Sequence, residues 1–378
     1  MIYVSTVLTE RRLLYKTAML YLPTTLLQPG MTLACDIPNP VCDGICFEKG
    51  DVLTSLCVNN IDAMGLAGAY IQSRFTTDVV IKDCMGAIAT TQSLTFLRHV
   101  FSNRENIPVF RRDVEVLLTD VLNKITTSSS LLSNLHSLNG YDNYTYGHSL
   151  RVAILSILIA IRLGLNRVEL WEVGMSGLLH DIGKTNVTTA IVNKNGKLSN
   201  SEYDVIKQHP EVGYEYLKEF FFFNDAVCEG VRYHHEHYDG RGYPEGLAGK
   251  NIPLYARILC VADVYDALTT RRPYREAWFP CHAISQMKKD FKMFDPMILS
   301  TLEDVTMPYP EGTIVILNTG ELAAVTHCNV IVKDRPTIRT LSAECSRVID
   351  LSKVSRSEVS IVDIGYTDNR IQKILRKE

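Results

Sequence analysis

The chain has 378 residues, and what it lacks narrows the reading first. Its ten cysteines contain no Cys-x-x-Cys pair. That argues against a disulfide framework and fits reduced thiols in the cytosol. Basic residues do not outnumber acidic ones, and the formal net charge is −3. Composition therefore gives no reason to expect a nucleic-acid or membrane-surface partner. Long hydrophobic runs are missing too. The longest mostly apolar stretch, Val152 to Ile161, is flanked by Arg151 and Arg162 and falls well short of the ~20 residues of a membrane-spanning helix. Near the start, Arg11, Arg12 and Lys16 stand where the apolar core of a secretory signal would lie. A cytoplasmic location is expected, and Met19 is an alternative start. Internal repeats and low-complexity tracts are absent. The hydrophobic fraction of 46% is ordinary for a globular protein.

What is present divides into four stretches. Residues 1–82 read as a small mixed α/β module. It has a Pro29-Gly30 turn, a helix from Ser55 to Leu66 and a strand at Ala69 to Ile71. Residues 83–107 read as a connector. Residues 108–306 are helical in pattern, beginning with Val114, Leu117, Leu118, Val121 and Leu122 at three- and four-residue steps. Residues 307–378 read as a small β-rich, barrel-like module. Its hairpin pairs Thr313–Leu317 with Leu322–Val325, and further strands are expected at 330–332, 337–341 and 348–351. The fold class is thus mainly α, an all-helical core between a small N-terminal α/β module and a small C-terminal β-rich one.

Chemistry concentrates in the helical stretch. Six of the ten histidines lie between positions 148 and 237. His148 opens a long helix whose inner face continues through Val152, Leu155 and Ile159. Asn166 is a good N-cap for the helix that ends at the adjacent pair His180-Asp181. Gly183 permits a tight exit. Ser199 and Glu202 form a capping box for a helix that His209 closes ahead of Pro210. Val227 to His235 is another helix, and neighbouring helical positions diverge by ~100°, so His234 and His235 approach a cavity from different sides. His237 is the spare and is expected to be exposed. Pro253 starts the helix of Asp263 and Asp266.

Singly, each of these histidines is an ordinary core or surface residue. Together, His148, His180, Asp181, His209, His234, His235 and Asp263 supply five imidazoles and two carboxylates, too many for one four-coordinate zinc site. Two divalent ions sharing Asp181 use them all. His148, His180, Asp181 and Asp263 would hold one, and Asp181, His209, His234 and His235 the other. Nitrogen and carboxylate ligands suit iron or manganese, with zinc and nickel possible, and the absence of cysteine ligands argues against a structural zinc site. Two ions ~3.5–4 Å apart suit phosphate-ester hydrolysis by a bridging hydroxide. Asp181 is then a catalytic bridge, and Lys184 a phosphate contact that helps neutralise charge.

The motifs His180-Asp181-Ile182-Gly183-Lys184, His234-His235-Glu236 and Asp239-Gly240-Arg241-Gly242-Tyr243-Pro244 resemble those of the HD-GYP subgroup of HD phosphohydrolases. The likeness runs from about residue 140 to 276 and takes in His148-Ser149, Arg151-Val152, His209-Pro210 and Asp263 to Leu268. It implies hydrolysis of cyclic di-GMP to pGpG or on to GMP. Hydrolysis of another cyclic dinucleotide, such as a mixed GMP-AMP, is the alternative, and so is an adaptor that docks a GGDEF-type cyclase. A homodimer is kept open. The resemblance also implies that Lys184, Tyr243 in the Gly242-Tyr243-Pro244 loop, Arg272 and, less directly, Arg275 contact substrate. Some relatives bind a third metal through a glutamate upstream of the first histidine. Here Asp142-Asn143-Tyr144 stands there, so two ions are favoured and Asp142 leaves a third open.

Overall fold

The computed structural model describes residues 19–39, 45–73, 106–127, 144–188, 191, 194, 196, 199–271, 275–342 and 346–375. Of the expected connector, residues 83–105 lie outside the described residues, as do Asp142 with Asn143 and Arg272, and its last residue, Ile107, already begins a helix.

The N-terminal part pairs β1 (Met19–Pro23) with a late strand and carries β2 (Ile37–Pro38), β3 (Ile45–Phe47), α1 (Ser55–Ala63) and β4 (Gly68–Gln72). β1 and β4 are antiparallel, Met19 opposite Gln72 and Pro23 opposite Gly68. Thr54 caps α1 by accepting the Cys57 amide.

The helical core follows as α2 (Ile107–Thr127), α3 (Tyr144–Arg162), α4 (Arg167–Leu179), α5 (Asn200–Ile206), α6 (His209–Tyr216), α7 (Asp225–Tyr233), α8 (Leu254–Thr269), α9 (Pro280–Lys289) and α10 (Pro296–Val305). From Leu150 to Ala160 every residue of α3 is buried. An element apolar on all sides belongs at the centre, and α4, α8 and α10 pack around it. Val152, Ile157, Val173, Leu178, Val231, Leu259 and Val261 belong to one continuous core. At ~1.5–3 kcal/mol per buried aliphatic side chain, this core fixes the helix ends that carry the site. The Asn166 and Ser199 caps form as expected, each with its reciprocal glutamate, Glu169 or Glu202.

Two local expectations are corrected. His209 opens α6 rather than closing the helix before it, because Pro210 sits in the first turn, where a missing N–H costs nothing. Residues 330–332 form a turn, not a strand, with Asn329 Oδ1 accepting the amides of Ile331 and Val332.

The C-terminal part is an open antiparallel sheet, not a barrel. Its strands β5 (Ile314–Leu317), β6 (Leu322–His327), β7 (Thr337–Thr340), β8 (Val348–Asp350) and β9 (Ile361–Ile364) lie in the order β8-β7-β6-β5-β9. A short α11 (Arg370–Leu375) follows. Strand alternation sends Ile314, Leu322 and Ala324 into one core with Leu20, Leu22, Leu33 and Ile71 of the N-terminal part. Val315, Leu317, Ala323 and Val325 face a second core with Ile364 and Met307, against which Phe279 packs. The two ends of the chain therefore share a core. Among the described residues no helix is long and apolar enough to cross a membrane.

Candidate metal centre

The seven candidate ligands come from five places in the chain and meet at one buried point. His148 sits in the first turns of α3, His180 and Asp181 just past α4, His209 at the start of α6, His234 and His235 just past α7, and Asp263 in α8. Ligand atoms within 4.8 Å of one another form three overlapping groups: His148, His180 and Asp263; His180, Asp181 and His234; and His209, His234 and His235.

The imidazoles are aimed by a repeated device. His180 Nδ1 lies 2.8 Å from the Gly177 carbonyl, His209 Nδ1 2.7 Å from Ile206 and His234 Nδ1 2.6 Å from Val231. A carbonyl can only accept, so each Nδ1 carries the proton and each Nε2 lone pair faces inward. His148 is held differently. Its Nδ1 is 2.8 Å from Asp266 Oδ2, and Asp266 also accepts from Arg151 Nε at 2.7 Å. Its Nε2 is 3.1 Å from Asp263 Oδ1.

Asp181 lies between these groups. Its Oδ2 is 3.4 Å from His180 Nε2 and 3.9 Å from His148 Nε2, while Oδ1 is 3.2 Å from His209 Nε2. Lys184 donates to Oδ2 at 2.6 Å and remains partly exposed. His180 Nε2 and Asp181 Oδ1 are buried and make no hydrogen bond among the described residues.

Electrostatics keeps most of these donors in the state a cation needs. Burial alone would raise the Asp181 pKa, but His180 and Lys184 hold it well below the usual carboxylate range. Burial opposes ionisation of Asp263 as well, and His148 outweighs it. Burial lowers His209 and pushes His234 far down, and it takes His235 down to about 3. For His148 burial is overridden by Asp263 and Asp266, which hold it up at about 9. Ionised Asp181 and Asp263 packed against the neutral rings of His209, His234 and His235, with orphaned atoms between them, fit divalent cations, while His148 would give up a proton on binding one. No cysteine belongs to the clusters among the described residues.

The loop after α7 forms one wall. The Tyr243 ring stacks on His235 at 4.8 Å between centroids and 25° between planes. Gly242 is demanded by space, since a Cβ there would lie 2.3 Å from the His237 amide nitrogen. The Tyr243-Pro244 peptide is cis. His237 is half-buried rather than exposed, because the loop folds back over it. Arg275 donates to the Ala267 carbonyl and lies 5.9 Å from the Trp278 ring centroid, packed along its own segment. Asp266 as the partner of His148 escaped sequence reasoning. The signal was available: Asp263 and Asp266, like His148 and Arg151, are spaced i, i+3 on one helix face.

A buried cluster of imidazoles and carboxylates that could hold metal ions sits in an all-α core, and residues 130–298 match the HD domain family. Within that stretch, the His180-Asp181 and Gly242-Tyr243-Pro244 motifs are similar to those of the HD-GYP group. It is 38% identical over 211 residues to the cyclic di-GMP phosphodiesterase PA4108 of Pseudomonas aeruginosa, covering 55% of this chain and 51% of that protein. It is 41% identical over 155 residues to the cyclic di-GMP phosphodiesterase response regulator RpfG of Xanthomonas campestris, covering 40% and 41%. It is 36% identical over 182 residues to the 3'3'-cGAMP-specific phosphodiesterase 1 of Vibrio cholerae, covering 46% and 42%. The chain thus spans about half the length of the curated relatives it matches, or less. The solved structure of Bd1817, an HDG"Y"P protein from Bdellovibrio bacteriovorus, shares the fold with a TM-score of 0.52 at 19% identity, over 76% of this chain and 99% of that one.

Proposed function

We propose that this chain is a metal-dependent phosphodiesterase acting on a cyclic dinucleotide, with cyclic di-GMP the preferred substrate. The observation that carries the reading is Asp181, whose two oxygens face different imidazoles, His180 and His148 on one side and His209 on the other. This supports a role in which Asp181 would help to hold two cations. His148, His180 and Asp263 would complete one site, and His209, His234 and His235 the other. The nitrogen and oxygen donors favour iron or manganese.

Bound there, the cations would activate a water as nucleophile and neutralise charge on the phosphate. The protein's own groups do the rest. The carbonyls of Gly177, Ile206 and Val231 hold three imidazoles in one tautomer, so no reorganisation is needed when charge develops. Lys184 reaches from Asp181 toward the open side, where its ammonium can bind a non-bridging phosphate oxygen. The Tyr243 ring offers a flat face to a purine base. The likeness to 3'3'-cGAMP-specific phosphodiesterases supports a mixed cyclic GMP-AMP as the second candidate substrate.

The test is hydrolysis by anaerobically purified protein reconstituted with Fe(II) or Mn(II). Cyclic di-GMP and mixed cyclic GMP-AMP are compared side by side, with Asp181→Ala as control. Turnover of cyclic di-GMP that vanishes in the variant is expected. Two bound metals with no turnover of either substrate would overturn the reading.

A further inference from the structure

The His234-His235 pair is followed by a third side chain that the proposed chemistry does not use. Glu236 is 1% exposed. Its Oε1 accepts the amide of Glu245 at 2.7 Å and that of Gly246 at 2.9 Å, while Oε2 is buried with no hydrogen-bond partner among the described residues. Burying a carboxylate is costly unless its bonds compensate. Here the compensation comes from a loop whose Glu245 and Gly246 are themselves exposed.

The loop meets the metal-ligand segment at three further points. The Tyr243 amide donates to the His235 carbonyl at 3.2 Å. The Tyr243 ring lies on the His235 ring. The backbone at Gly242 passes so close that a Cβ would sit 2.5 Å from Glu236 Cα. On the outer side, Glu245 accepts from the Tyr233 hydroxyl at 3.1 Å, and the Arg232 guanidinium lies 3.2 Å from the same oxygen. Of these ties, the Glu236 carboxylate is the buried, charge-assisted one, which makes it the strongest polar link. It is also a link that no candidate metal ligand supplies.

We infer that Glu236 is a positioning residue, whose carboxylate holds the 239–246 loop closed so that Tyr243 stays over His235, tightening substrate binding without contributing to metal binding. The inference rests on the function proposed above. In the full chain, Glu236→Ala is expected to raise KM for cyclic di-GMP about ten-fold, the size of a lost charge-assisted bond. Metal content should stay as in the unaltered protein, and hydrolysis of bis(p-nitrophenyl) phosphate, too small to need the loop, should change less than about two-fold. Glu236→Gln, which keeps the Oε1 acceptor, should restore most of the lost affinity. Hydrogen exchange gives a readout independent of turnover: the Glu245 and Gly246 amides should exchange faster in Glu236→Ala and near the original rate in Glu236→Gln. Loss of metal, or an equal fall on both substrates, would make Glu236 a support of the metal cluster and overturn the inference. Unchanged exchange at Glu245 and Gly246 would overturn it as well. If the unaltered protein hydrolyses no cyclic dinucleotide, the proposed function fails, and the exchange rates with the small diester still decide the role of Glu236.

Discussion

His148 and Asp266 meet at 2.8 Å through Nδ1, which leaves the other ring nitrogen of His148 facing Asp263 and the candidate metal ligands. Asp266 is 2% exposed and is itself gripped by Arg151. A ligand histidine oriented by a buried carboxylate is a more basic and better-aimed donor. Asp266→Asn should weaken metal affinity ~10–100-fold, with turnover recovering at high metal concentration. Titration of Mn(II) against a competing chelator measures this directly. An unchanged affinity would reduce Asp266 to a packing residue.

Gly183 is where helix packing meets the site. A Cβ there would lie 2.0 Å from the His209 carbonyl oxygen and 2.7 Å from the Gly213 amide nitrogen. Both atoms belong to the backbone of α6, so neither can swing aside. Gly183→Ala should push α6 outward, costing ~1–3 kcal/mol of stability as an overpacking substitution. Because His209 opens α6, metal affinity should fall together with the urea midpoint. A variant that unfolds at the original urea concentration would refute this reading.

Gly183 also shows how far the sequence can be read. Its need for glycine was visible, but as a turn; the real cause is the approach of α6, a contact 26 residues away that leaves no local mark. The clustering of the candidate ligands was legible because imidazoles and carboxylates are chemically distinct, and the caps at Asn166 and Ser199 marked where the helices leading toward His180 and His209 begin. Its supports were less so. Asp266 differs from a surface aspartate only by its spacing from Asp263, and nothing in the residue order turns Arg275 back onto Ala267 and Trp278. The open sheet read as a small barrel because alternation along β5 and β6 reports two buried faces without naming what covers them.

The covering of that sheet makes its own prediction. The Tyr366 hydroxyl donates to the Tyr21 carbonyl at 2.5 Å and accepts the Ile314 amide at 3.2 Å. It thus ties the first described strand to the C-terminal sheet. Tyr366→Phe leaves two backbone groups without this partner in a buried place, at a cost of ~1–3 kcal/mol. Thermal unfolding should shift down by several degrees, while kcat at saturating substrate stays unchanged. A fall in kcat with no change in stability would show that the junction acts on the site rather than on the fold.

The metal cluster should also be visible in stability, without any assay of turnover. Cations that bind the folded chain and not the unfolded one stabilise by mass action, ~2.7 kcal/mol at a free concentration one hundred times Kd. The effect should be strong here, because the apo site packs orphaned atoms, His180 Nε2 and Asp181 Oδ1, away from water. Chelation should therefore lower the unfolding temperature, and readded Mn(II) should restore it in a concentration-dependent way. Asp181→Ala removes the carboxylate placed between both groups of imidazoles, so it should abolish most of this metal-dependent shift. The chelated variant itself should unfold earlier than the chelated parent, since Lys184 and the histidines that hold Asp181 ionised lose their partner. If the variant keeps the full metal-induced shift, the two groups of imidazoles bind cations independently, and Asp181 does not bridge them.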